Sequence, residues 1–124
     1  MAGGAAVRTG KSSSIDRTAI WAEFRSVINM TPAALRRWLA TEESKAVGWT
    51  ESGKGESIGH QSGRRIIRLR GKRKAELTAG DYRHMQKVIG YVNRHLAQSG
   101  PRRDKAHSRW RYSLMNWGHD PLKK

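Results

Sequence analysis

The chain has 124 residues, no cysteine, and 25 lysines and arginines against 10 acidic residues, a formal net charge of +15. That length suits one small domain. The absence of thiols excludes a disulfide framework and any thiolate metal site, and no run of 18 apolar residues is present to span a membrane. The opening MAGGAAVRTGKSSS lacks the apolar stretch of a secretion signal. An intracellular protein is therefore expected, placed in the cytoplasm or nucleoid of a bacterium or the nucleus of a eukaryote.

Residues 1–12 are small, polar and glycine-rich, and predict a disordered tail ahead of one helical domain at 13–124. A first helix is expected at about 14–29, with Ser13 and Asp16 as a capping-box-like start and Ile20, Trp21, Phe24, Val27 and Ile28 on one face. Thr31 followed by Pro32 opens a second helix, since proline at the first helical position gives up an N–H that would have no partner there. Leu35, Trp38 and Leu39 form its apolar face, and Arg36 and Arg37 point away. Thr41 to Ser44 predict either its continuation or a fresh short turn, ending at Gly48. Residues 48–63, GWTESGKGESIGHQSG, read as a loop by composition, long enough to suspect a function.

The segment RRIIRLRGKRK, Arg64 to Lys74, follows. Seven of its eleven residues are basic and none is acidic. Ile66, Ile67 and Leu69 suit a short helix at about 62–70 stopped by Gly71, and a brief strand would suit them equally. A long two-faced helix comes next, at 78–99. Thr78 and Asp81 make its capping box. Tyr82, Met85, Val88, Ile89, Val92 and Leu96 form one stripe, and Arg83, Lys87 and Arg94 lie opposite. Gly100 and Pro101 stop it. A basic turn, GPRRD, leads to a last helix at about 105–117 capped by Asp104, with Trp110, Leu114 and Trp117 on one face. The expected fold is all-α: four to five short helices with a Gly-rich loop, around a core of Trp21, Phe24, Leu35, Trp38, Val88, Val92, Trp110 and Leu114.

The charge is uneven. Residues 1–63 hold eight basic and six acidic residues, a net of +2, whereas residues 64–124 hold seventeen and four, a net of +13. Such asymmetry points to a polyanion on one part of the molecule, nucleic acid first, with an anionic membrane surface or an acidic protein as other fits. The candidate nucleic-acid-binding residues are Arg64, Arg65, Arg68, Arg70, Lys72, Arg73 and Lys74, backed by Arg83, Lys87 and Arg94, with Arg102, Arg103, Arg109 and Arg111 beyond. Arginine predominates among them, which suits bidentate phosphate contacts. Amides of Gly59 to Gly63 at a helix start would add a neutral phosphate site. His60 is expected to bond a backbone carbonyl or a phosphate, and Trp49, in the Gly-rich loop, is the candidate base-stacking residue.

Other chemistry has less to build on. His84 and His95 lie eleven residues apart on one helix, too far to share an ion, and no HExxH or HxH spacing occurs, so no metal or other cofactor is expected. Glu56 with His60, and His119 with Asp120, are the pairs from which a His-dependent nuclease site would be made. Ser57 and Ser62 sit in SIGHQSG, which lacks the GxSxG elbow of a nucleophilic serine.

Four blocks, NMTPAALRRWLATEES, GESIGHQSGRRI, MQKVIGYVNRHLAQ and RWRYSLMNWGHDPLK, together resemble an uncharacterised family, domain of unknown function 3140, over roughly Phe24 to Lys123. Members of that family are often labelled only as DNA-binding proteins, so the resemblance implies a label and no site residues. The expectation from the residues is a non-enzymatic protein that holds mainly the phosphate backbone of double-stranded DNA with limited sequence preference. RNA binding by the same surface, a His-dependent nuclease and a basic adaptor for an acidic protein are the alternatives.

Overall fold

The computed structural model describes residues 17–50, 53 and 55–123, and these form helices and turns with no strand among them. The helices are α1 (17–27), α2 (Pro32–Leu39), α3 (Glu42–Ala46), α4 (Ile58–Arg70), α5 (Ala79–Ala97) and α6 (Arg109–Asn116), with single 3-10 turns at Lys74–Glu76 and Lys105–His107. The expected tail at 1–12, and the expected cap at Ser13 and Asp16, lie outside the described residues. No helix among the described residues is long and apolar enough to cross a membrane.

Hydroxyl caps set most of the boundaries. Thr31 Oγ1 accepts from the Ala34 amide at 3.1 Å and Pro32 opens α2. Thr41 Oγ1 accepts from the Ser44 amide at 3.1 Å, so α3 is a fresh helix and not a continuation of α2. The last helix departs from expectation. Asp104 adopts a left-handed conformation (φ 47°) and makes no side-chain cap. A 3-10 turn intervenes, and Ser108 Oγ caps α6 by accepting from the Arg111 amide at 3.1 Å.

Phe24, Leu35, Ile66, Leu69, Met85, Val88, Val92 and Leu114 are closed off from solvent. Trp21, Trp38 and Trp110, expected in the core, are only half-buried and pack against its edge. An indole N–H needs an acceptor, and acceptors lie where the core meets polar groups. Trp38 Nε1 donates to Asn116 Oδ1 at 2.7 Å, and Trp110 Nε1 donates to the His95 carbonyl at 2.8 Å. The interior volume goes instead to Met30, Leu39, Ile66, Leu69 and Met85.

Asn116 ties the two halves of the chain together. It is 1% exposed. Its Oδ1 accepts from Trp38 and from Ser44 Oγ at 2.5 Å, and its Nδ2 donates to the Ser44 carbonyl at 3.0 Å. Ser44 is itself fully buried. Removing the amide strands these partners, and each buried polar group left without a partner costs about 1–3 kcal/mol. Asn116→Ala is expected to lower unfolding stability by about 2–4 kcal/mol in urea titrations, while Asn93→Ala, at an exposed position of α5, is expected to change little.

Candidate nucleic-acid interface

The site begins with α4, IGHQSGRRIIRLR. Ser57 caps it, Oγ accepting from the His60 amide at 3.0 Å. The helix therefore takes in residues 58–63, which composition alone assigns to the loop. Gly59, Ser62 and Gly63 are weak helix formers, but they face inward where only small residues fit. A Cβ at Gly63 would stand 2.6 Å from the Asn116 carbonyl oxygen, and one at Gly59 would stand 2.8 Å from Trp117 Nε1. Packing against α2 and α6 overrides propensity here. It also takes up part of the set of amides expected before Arg64 as a phosphate site. The Ile58 amide donates to the Trp49 carbonyl at 2.8 Å, and the His60 and Gln61 amides are taken by Ser57.

The inward turn of Ile66 and Leu69 leaves Arg64, Arg65 and Arg68 on the outer side of α4. Opposite them runs α5, whose capping box forms as expected: Thr78 Oγ1 accepts from the Asp81 amide at 3.1 Å, and Asp81 Oδ2 accepts from the Thr78 amide at 3.0 Å. A groove of about 290 Å³ lies between the two helices, lined by Arg64, Arg65, Arg68 and Lys87, with Gln61, Ser62 and His84 along it. Arg83 adjoins it, since its guanidinium and that of Arg65 both come against Gly80. Arg94, two turns beyond Lys87, reaches a neighbouring aromatic pocket together with Trp49.

Asp81 is the counterion within this basic face. It is 5% exposed and also accepts from Lys72 Nζ at 2.7 Å and Arg65 Nη2 at 3.3 Å. Burial alone would raise its pKa. The hydrogen bonds from Lys72, the Thr78 amide and Arg65 outweigh that and hold the carboxyl well below the usual carboxylate range.

Arg64, Arg65, Arg68, Arg83, Lys87, Arg94 and Trp49 thus line the groove, adjoin it or line the neighbouring pocket. Arg70, Lys72, Arg73, Lys74 and His60 line neither cavity. Arg70 is half-buried next to Arg25 of α1, and burial followed by that like charge lowers its pKa. Lys72 is held by Asp81, while Arg73 pairs with Glu76 at 3.8 Å in the turn after α4, where Lys74 is exposed. His60 is closed in: Nε2 lies 2.7 Å from the Leu39 carbonyl oxygen and Nδ1 meets Glu56 Oε2. It makes the backbone contact expected of it and is turned away from the groove.

The nuclease pairs do not converge. Glu56 is shared by His60 and Arg64, the His119 Nδ1 lies 2.8 Å from the Val27 carbonyl oxygen, and Asp120 takes a bidentate contact from Arg111 at 3.0 and 2.9 Å. Among the described residues no three His, Asp or Glu gather as a metal site.

His84, considered in the sequence only as a metal ligand, sits in the groove. Its Nε2 lies 2.9 Å from Ser62 Oγ, and its ring is parallel to that of Trp117 with centroids 6.2 Å apart. Burial first, then the charges of Arg65 and Lys87, push its pKa down to about 4. It is neutral at pH 7. The signal for it was present: His84, Lys87, Tyr91 and Arg94 recur at the three- and four-residue steps of a single helix side.

The family model described as Protein of unknown function (DUF3140) matches residues 23–115. The chain belongs to that family. The matched span runs from α1 through most of α6, so both helices of the groove fall inside it. No curated protein and no solved structure gives a significant match.

The depressed pKa of His84 has a consequence for stability. The unfolded chain takes up the proton near pH 6.5, whereas the folded state resists it until about pH 4. The unfolded state therefore binds more protons across that window, and stability falls as pH drops through it. Urea unfolding at pH 7.5 and pH 5 should show this loss in the wild type, and His84→Gln should show a smaller one.

Proposed function

We propose that this protein binds DNA inside the cell, mainly through the phosphate backbone and with limited sequence preference, and that it is not an enzyme. One observation carries the reading: cations from two separate helices, Arg64, Arg65 and Arg68 on α4 and Lys87 on α5, line a single groove. In the sequence they belong to the half with a net charge of +13.

Packing like charges together opposes folding, and Asp81 offsets only part of the repulsion. A polyanion offsets the rest, and the counterions it releases favour binding. Arginine forks suit phosphate oxygens, and phosphate contacts position a protein without reading sequence. Of its uncharged polar side chains, Ser62 and His84 are engaged with each other and Gln61 donates to the Glu56 carbonyl.

The cations differ in what they do for the fold. Arg65 is bonded to buried Asp81, so replacing it disturbs the counterion as well as the surface. Arg68 and Lys87 are exposed groove residues and report on binding alone. Arg64 is likewise paired with Glu56, so if the four cations Arg68, Arg83, Lys87 and Arg94 each meet a phosphate, log K against log salt has a slope of about −3.6. Arg68→Gln with Lys87→Gln should reduce its magnitude by about 1.8. Binding to two unrelated duplexes should weaken alike, and the thermal midpoint should hold. An unchanged slope would move the interface elsewhere, and loss of one duplex alone would mean base reading.

A further inference from the structure

A second cavity opens beside the groove and shares Ile58 and Lys87 with it. We propose that this pocket takes one unpaired base of a DNA strand whose phosphates lie on the groove. The inference rests on the DNA-binding reading above and adds to it the kind of DNA that is preferred.

The pocket has a volume of about 250 Å³, and its walls include Trp49, Gly59, Lys87, Tyr91, Arg94 and Trp117. Pockets for drug-sized ligands run from roughly 300 to 1,000 Å³, so this one has room for a single ring system. One wall is aromatic but closed: Tyr91 and Trp117 stack at 4.3 Å between centroids with 15° between planes, His95 covers Tyr91 at 4.7 Å and His84 covers Trp117 at 6.2 Å, so the ring face left for a base is that of Trp49.

Trp49 is the unusual member. Its side chain is 68% exposed, whereas the other tryptophans are buried or half-buried. The fold gains nothing from that exposure, yet the backbone beneath it is held. Gly48 takes φ +102°, where a Cβ would stand 2.8 Å from Ser57 Oγ, and the Trp49 carbonyl accepts from the Ile58 amide at 2.8 Å. An indole held beside an aromatic stack is a platform for a base, and such stacking accepts any base because every base has a π-face.

The rim carries charge of the matching sign. Lys87 and Arg94 are seven residues apart on α5, a rise of about 10 Å. That is roughly three steps of a stacked strand at 3.4 Å each, so both reach phosphates of the strand that donates the base. Base identity is weakly read. Asn116 at the pocket floor spends its oxygen on Trp38 and Ser44 and donates to the Ser44 carbonyl.

Three probes built on one paired sequence test the proposal by fluorescence anisotropy: a fully paired duplex, the same duplex with one extra, bulged nucleotide in one strand, and that bulge made abasic. The bulged probe should bind about tenfold tighter than the other two, as loss of one base–aromatic stack implies. A 2-aminopurine at the bulge should lose emission on binding. Trp49→Ala, with its fold checked by thermal melting, should bring the ratio of bulged to abasic affinity to about one. Equal affinity for all three probes overturns the base pocket and leaves the phosphate reading standing. No binding to any probe overturns the DNA reading itself. A single-stranded RNA of the bulged strand's sequence that outcompetes the bulged DNA overturns the assignment to DNA.

Discussion

Asp81 is the constraint on which the basic face depends. It is a nearly buried carboxylate in a neighbourhood of arginines and lysines, and it does three things at once. It closes the capping box that starts α5, it draws Lys72 back from the turn after α4, and it holds Arg65 across the gap between the two helices. Burying a charge is costly unless it is paired and hydrogen-bonded, and here each oxygen has partners. The like-charged helices can then lie side by side, because the strongest mutual repulsion is met by a fixed negative charge between them.

Around that counterion, the fold divides its polar work between interior and surface. On the inner side Asn116, Ser44 and Trp38 form a satisfied network linking α2, α3 and the end of α6. Among the described residues no buried side-chain nitrogen or oxygen lacks a partner. A network of this kind is stable only when complete, so it fixes α2 and α3 against α6, and α4 packs on α6 at one spacing. Gly59 and Gly63 register that spacing, since neither site has room for a methyl group. On the outer side the same rigidity holds the arginines of α4 in line with Lys87. His84 belongs to both sides: it faces the groove, yet burial and its cationic neighbours keep it neutral, so it adds a polar edge and no further charge.

Much of this was legible before any coordinates. The periods of α1, α2 and α5 and the Thr31 and Thr78 helix starts follow from local chemistry, because a helix stripe and a hydroxyl cap involve residues within a few positions of each other. The all-helical class follows from the same patterns. The concentration of charge after Arg64 is a property of composition alone. The errors share a cause. The start of α4 was hidden because GESIGHQSG has the composition of a loop, and only contact with Leu39, Asn116 and Trp117 gives its glycines a reason to be helical. The half-burial of Trp38 and Trp110 depended on acceptors 78 and 15 residues away.

What the sequence determined by itself was therefore helical class, the start of α2, the bounds of α5 and the uneven distribution of charge. What only the tertiary structure decided was which cations share a surface. Arg64, Arg65, Arg68, Arg70, Lys72, Arg73 and Lys74 are equivalent in a string of letters. In the fold Arg70 is half-buried, Lys72 shares Asp81 with Arg65, Arg73 pairs with Glu76 in the turn after α4, and His60 closes on Leu39 and Glu56. Arg64, Arg65 and Arg68 meet Lys87 in one groove. The reason is the angle of about 100° per residue around a helix. It sends neighbours in sequence to different faces, and which face is open is settled only when the other helices have packed.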